Sequence, residues 1–199
     1  MMPRCRCPVG SRFGESESAR FPDGGAASLR LLPVREVTRI GPEPRWLDAD
    51  QQRSWRALVM GTTLLFDRLD DDLRRNHDLS LGEYEILVRL SERDGQMRMA
   101  ALADALAHSR SRVTHTVTRM ENAGLVQRSS SPEDGRGIVC TLTDKGNDLL
   151  VRAAPTHVAG VREHLVDLAS GEDFEALGRV MDAVSDHLIA AHPEMEIRS

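Results

Sequence analysis

Ser111, Arg112, His115, Thr118, Arg119 and Asn122 follow one another at intervals of one and three residues. At ~100° per residue these side chains share one side of a helix, and Val113, Val117, Met120 and Gly124 share the other. Ser109, Arg110 and Thr114 extend the polar set at the start of the same helix. Such a face can read the edges of nucleic-acid bases. Arginine bonds guanine O6 and N7 as a pair, and Ser, Thr and His offer more adaptable donors and acceptors. From Ser109 to Arg128 there are four arginines (Arg110, Arg112, Arg119, Arg128) and one acid, Glu121. The chain as a whole carries a net charge of −5, so phosphate binding is expected of this local face and not of the whole surface.

The elements that hold this helix can be read from their punctuation. Asp48 with Gln51 is a capping box opening a long amphipathic helix to about Asn76, marked by Trp55, Leu58, Val59, Thr62, Leu65, Phe66, Leu69 and Leu73. Ser80 with Glu83 opens a second helix that buries Tyr84, Leu87 and Leu90 and ends near Asp94-Gly95. A short third helix covers about 99–106. Ser109 caps the fourth, which reaches Ala123 with Gly124 as its stop. Residues 125–129 and 137–142 are short β-type runs around a polar turn, a β-hairpin with a long tip. Helix restarts at Thr143-Asp144; one long helix or a kinked pair covers 143–168, with Pro155 as the expected kink, and a last helix spans about 172–190.

Helix, short helix, turn, helix and hairpin is the order of a winged helix-turn-helix. Arg136 sits at the hairpin tip, where an arginine suits a narrow minor groove, and Asp134 is placed to orient its guanidinium. The first helix and the two C-terminal helices carry more apolar positions than so small a unit can cover. They are expected to pack on each other or on a second copy, giving two recognition helices and a pseudo-palindromic site. The expected fold is mainly α (α+β). A basic, disordered arm occupies 1–45, which holds six of the nine prolines. A dimerisation helix follows over 46–78, then the DNA-binding domain over 79–143 and C-terminal dimerisation helices over 144–192.

Over roughly 46–190 the chain resembles the MarR-type transcriptional regulators. The resemblance is densest in Arg98-Met99-Ala100-Ala101-Leu102-Ala103, Ser109-Arg110-Ser111-Arg112-Val113-Thr114, Met120-Glu121-Asn122-Ala123-Gly124-Leu125-Val126, Glu133-Asp134-Gly135-Arg136-Gly137 and Leu142-Thr143-Asp144-Lys145-Gly146. It implies a homodimer on double-stranded DNA, with a recognition helix in each major groove and a wing arginine in each minor groove. It also implies a pocket for a small aromatic or anionic effector between the first, second and fifth helices, for which Trp55, Phe66, Tyr84 and Arg89 are candidates. Many members begin the third helix with Thr or Ser. Arg98 stands there instead, losing a cap of ~1 kcal/mol but placing a cation where a phosphate would lie.

Other functions find little support. No nucleophile elbow, phosphate loop or dinucleotide fingerprint is present, so no enzyme and no cofactor are expected. Asp70, Asp71 and Asp72 point in different directions from one helix and read as a solvated face. His157 and His164 share a helix face if Pro155 leaves that helix regular, but no His-x-x-x-His pair with a nearby carboxylate stands out, and no metal site is expected. Cys140 falls in a strand, and Cys5 and Cys7 in the arm, so a thiol switch is weakly supported. Neither a membrane span nor a secretory leader is evident, so a cytoplasmic repressor with no membrane partner is expected. A winged-helix protein-interaction module, and a thiol- or metal-responsive sensor of the same fold, remain as alternatives.

Overall fold

The computed structural model describes residues 44–131 and 137–190. The chain divides into two units, Met1–Arg45 and Trp46–Ser199, and the described residues belong almost wholly to the second. The expected arm lies outside the described residues except for its last two positions. Asp134 and Arg136 also lie outside them.

Helix α1 (Ala49–His77) opens on the expected box: the Asp48 carboxylate accepts from the Gln51 amide (2.8 Å), and the Gln51 side chain accepts from the Asp48 amide (3.1 Å). Its two ends differ. Leu69 and Leu73 are buried, whereas Trp55, Leu58, Val59 and Phe66 are exposed, Trp55 by 57%. Asp70, Asp71 and Asp72 each pair with an arginine one turn away, Arg74, Arg75 and Arg68 respectively. This is the solvated ladder that i,i+4 spacing favours.

Helix α2 (Leu81–Ser91) opens on Ser80 with Glu83 and buries Tyr84, Ile86, Leu87 and Leu90. It stops short of Asp94-Gly95, where the sequence suggested its end. The Gly95 amide bonds back to the Leu90 carbonyl (2.9 Å), and Asp94 and Gly95 both adopt positive φ, so the chain turns away sooner. That turn feeds a strand the sequence reading did not foresee, β1 (Gln96–Arg98). After it come α3 (Met99–Ala105), α4 (Arg110–Asn122), β2 (Val126–Ser130) and β3 (Ile138–Leu142). The sheet is antiparallel in the order β1-β3-β2, with Met97 and Arg128 both opposite Cys140. The expected hairpin is therefore two-thirds of a sheet whose central strand is β3.

Helix α5 (Asp144–His164) runs through Pro155 as one element and leads into a short 3₁₀ turn at Val166–Leu168, then α6 (Gly171–Ala190). Pro155 was expected to kink the helix. The carbonyl it leaves without a helical donor is that of Val151, an exposed residue, where water can replace the bond. One core joins these elements, with Leu73, Leu87, Leu90, Leu102, Val117 and Cys140 wholly buried. No residue of α6 is buried. Among the described residues no helix is long and apolar enough to cross a membrane.

The start of α5 clasps the end of α4. Thr143 caps α5 by accepting from the Gly146 amide (3.0 Å), and its hydroxyl lies 2.8 Å from the Gly124 carbonyl and 2.9 Å from that of Leu125. Lys145, the sole lysine, donates to the Ala123 carbonyl at 2.7 Å, filling an acceptor that the helix end leaves open. Gly124, assigned above to the inward side of the fourth helix, is exposed in the turn beyond it with φ 72°.

Candidate nucleic-acid interface

Helix α4 has the two faces its spacing requires. Val113, Val117 and Met120 are buried to 1% exposure or less. Ser111, Arg112, Thr114, His115, Arg119 and Asn122 are exposed, and Thr118 is half-buried. The Ser109 hydroxyl caps the helix by accepting from the Arg112 amide at 3.3 Å. Thr114 and Thr118 donate to the carbonyls of Arg110 and Thr114 (2.7 and 2.8 Å). Their hydroxyl protons are committed to the helix, which leaves oxygen lone pairs and methyl groups to face outward.

The positive patch is smaller than a count of arginines suggests. Arg128 is held by Glu121 through its backbone amide (2.8 Å), Nε (2.9 Å) and Nη2 (2.6 Å). These bonds draw the Glu121 carboxyl below its usual pKa. Arg119 Nη2 donates to Glu83 Oε1 of α2 at 3.1 Å. Arg110 and Arg112 form no ion pair among the described residues and carry the patch at the N-terminal half of α4. Arg98 is exposed at the junction of β1 and α3 and stands at the N-cap of α3, where its side chain does not cap the helix. Its Nη1 lies 3.1 Å from where a Cβ on Gly137 would stand, at the foot of the wing.

Beside α4 a polar groove of about 320 Å³ runs against the end of α1 and the start of α2, bordered by Arg74, His108, Arg112, His115 and Arg119. His108 is held below the usual imidazole pKa, first by burial and then by the charge of Arg112. Asp70 forms part of the groove's wall. Against the desolvation of burial, Arg74 and the Leu81 amide (2.7 Å) keep its carboxyl below its usual range. The sequence reading singled out neither Arg74 nor His108, and took Asp70 only as part of a solvated acidic run. Their convergence depends on packing between α1, α2 and α4.

The four effector candidates do not gather. Tyr84 and Arg89 line a separate cavity of about 370 Å³ between α2, the α3–α4 turn and α5, together with Val88, Leu106 and His157. Trp55 and Phe66 stand exposed on α1 ahead of its buried Leu69. Arg89 bonds Glu92 at 3.0 Å. The Tyr84 and His157 rings pack 4.5 Å apart. Burial raises the Tyr84 pKa and lowers that of His157, and His157 Nδ1 is buried with no partner among the described residues. His157 was weighed above only as a metal ligand. Among the described residues no three His, Cys, Asp or Glu side chains gather as a metal site. Cys140 is fully buried, and burial, with the Glu121 charge, pushes its thiol up to about 11.

The MarR family model matches residues 79–138, the stretch from α2 through the foot of the wing. The regulator PecS of Dickeya dadantii is 31% identical over 138 residues, covering 66% of this chain and 82% of its own. Two solved structures from Streptomyces coelicolor lie nearby. AbsC, a MarR family transcriptional regulator, has 41% identity and a TM-score of 0.70, covering 74% of this chain and 99% of its own. The MarR family regulator Sco3205, solved in complex with DNA, has 40% identity and a TM-score of 0.71, covering 74% and 93%. Sheet order, helix order and matched sequence agree: the chain belongs to the MarR family, transcriptional regulators built on the winged helix-turn-helix and not enzymes.

Proposed function

We propose that the protein is a homodimeric repressor that binds double-stranded DNA at a pseudo-palindromic operator. The observation that carries this reading is the exposed polar face of α4, with Ser111, Arg112 and His115 outward on a buried apolar seam. A relative at 40% identity is solved with DNA bound. In this reading Ser111, Arg112, Thr114 and His115 meet base edges in the major groove, and Ser109, Arg110, Thr118 and Arg119 contact base or backbone. Arg98 holds a phosphate beside the wing. Arg136, oriented by Asp134, enters the minor groove.

The dimer is supported by what the single chain leaves uncovered. Phe174, Val180, Met181, Val184 and Leu188 are exposed on α6, as are Trp55, Leu58, Val59 and Phe66 on α1. Most helix stability in proteins comes from packing an amphipathic face and not from propensity, so the 20-residue α6 requires a surface to pack on, and a second copy supplies one of matching character. Two copies place recognition helices ~34–36 Å apart, or a multiple of that, along the DNA. A small aromatic or anionic effector fits the cavity of Tyr84, Arg89 and His157. It would offer a hydrogen to the unpaired His157 nitrogen and a negative charge to Arg89, and relieve repression by favouring the form that does not bind DNA.

Fluorescence anisotropy with a labelled duplex from the DNA flanking the gene, beside a scrambled duplex, tests the reading. A preference of ~10³ or more, falling steeply with salt, is expected. Equal, weak binding to both duplexes would overturn recognition of that site.

A further inference from the structure

Glu83 uses one carboxylate for two tasks. Its Oε2 accepts from the Ser80 amide (2.9 Å) and the Ser80 hydroxyl (2.6 Å), closing the box that opens α2. Its Oε1 accepts from Arg119 Nη2, thirty-six residues away on α4, at 3.1 Å. The partners are unequally free. The Glu83 side chain is 16% exposed and fixed by Ser80, whereas that of Arg119 is 53% exposed. Arg119 can swing outward to a phosphate, and the carboxylate cannot follow. Capping does not demand the charge, because Gln serves at this position of the box as well as Glu.

We infer that Glu83 is a positioning residue that competes with DNA phosphate for Arg119 and so caps the affinity of α4 for the DNA backbone. This rests on the DNA-binding reading of α4 given above. When Arg119 transfers to a phosphate, the Glu83 charge stays behind, partly buried, short of a partner and close to the DNA. Binding is therefore weaker, and less dependent on salt, than the α4 arginines alone would make it. Arg74, on the other border of the groove, is held in the same way by Asp70 (2.5 Å), so two cations beside the recognition helix are restrained by acids of the protein.

Glu83→Gln separates the tasks. The Gln oxygen still accepts from Ser80, while its amide group offers Arg119 no acceptor. Binding is measured by anisotropy of a fluorescein-labelled scrambled duplex of about three helical turns over a salt series. Arg119→Gln and the double variant complete a cycle, and thermal unfolding checks that the cap is intact. The expected result is binding about threefold to tenfold tighter at low salt, with the logarithmic salt slope steeper by about one unit. Both changes should vanish in the Arg119→Gln background. Unchanged or weaker binding, or a gain that survives the loss of Arg119, would overturn the inference. If the wild-type chain binds neither this duplex nor the native one, the DNA-binding reading falls and takes this inference with it. Firm wild-type binding without the Glu83→Gln gain removes this inference alone.

Discussion

Gly146→Ala tests the clasp between α4 and α5. A Cβ on Gly146 would stand well inside the 3.0 Å that real Cβ atoms keep from other atoms, pressed on the Leu125 carbonyl oxygen, and 2.9 Å from Leu142 Cδ1. Backbone blocks it, so no rotamer change relieves the overlap; either α5 or the Leu125 peptide must shift by about 1 Å. Overpacking of this kind costs ~1–3 kcal/mol. The same carbonyl accepts from the Thr143 amide (3.1 Å) and meets its hydroxyl (2.9 Å), and losing these bonds adds ~1 kcal/mol each. The total of ~3–5 kcal/mol corresponds to a fall in Tm of roughly 10–15 °C for a chain of this size. Gly82→Ala is the control: nothing lies within 4 Å of its Cβ position in α2, and Ala there should stabilise by up to ~1 kcal/mol. Thermal unfolding followed by circular dichroism compares the three proteins. If Gly146→Ala melts within about 2 °C of wild type, the overlap is being absorbed and the clasp does not hold the two helices in register.

Arg112→Ala should reduce discrimination between native and scrambled duplexes by ~1–3 kcal/mol if its contact is bidentate to guanine; an equal loss on both duplexes would make it a phosphate contact. Trp55→Glu with Phe66→Glu puts charge on the exposed apolar stretch of α1, and sedimentation should show a folded monomer; a dimer of unchanged stability would place the interface elsewhere. Burial lowers the His157 pKa from the usual value of about 6.5, so the unfolded chain takes up this proton first as pH falls. Stability from His157 is therefore complete above about pH 6.5 and lost below it. His157→Phe, which keeps a ring against Tyr84, should flatten the decline of Tm in that window, leaving the share of His108; an unaltered profile would refute the assignment. Cys140, with its thiol near 11, should resist iodoacetamide at pH 8 until denaturant is added, as read by peptide mass spectrometry. Rapid native labelling would restore the thiol-sensor alternative.

The sequence was most legible where the cause was local. Both capping boxes, at Asp48 and Ser80, need only residues three apart, and both form with the expected bonds. The two-faced character of α4 is likewise a matter of period, and Val113, Val117 and Met120 are buried as the period requires. Strand β1 was illegible because nothing in Gln96-Met97-Arg98 favours a strand by itself; it forms because β3 offers an open edge beside it. The early end of α2 depends on the Leu90 carbonyl capturing the Gly95 amide, and two adjacent turn residues do not reveal which of several closures will win. The partners of Arg119 and Arg128 could not be read from a charge count. One arises across thirty-six residues and the other between a helix and a strand, and together they withdraw half of the four arginines from the open patch.

The uneven anchoring of α1 gives it mechanical character. The helix is about 43 Å long from its 29 residues, yet its buried side chains, Leu69 and Leu73, sit in its last third. There Asp70 holds the Leu81 amide and His77 meets Thr156 on α5 at 2.8 Å. Ala49 lies twenty residues, about 30 Å, from Leu69. A tilt of about 5° at the anchored end would sweep the far end through roughly 2–3 Å, far enough to move apolar side chains out of register with whatever covers them. The converse follows from the same ratio. A grip on the long arm acts with leverage on the short arm, which lies against the start of α2 and the groove beside α4. Small forces spread along Trp55, Val59 and Phe66 are thus concentrated where Asp70 holds Arg74 and the Leu81 amide, at the edge of the groove that Arg119 borders.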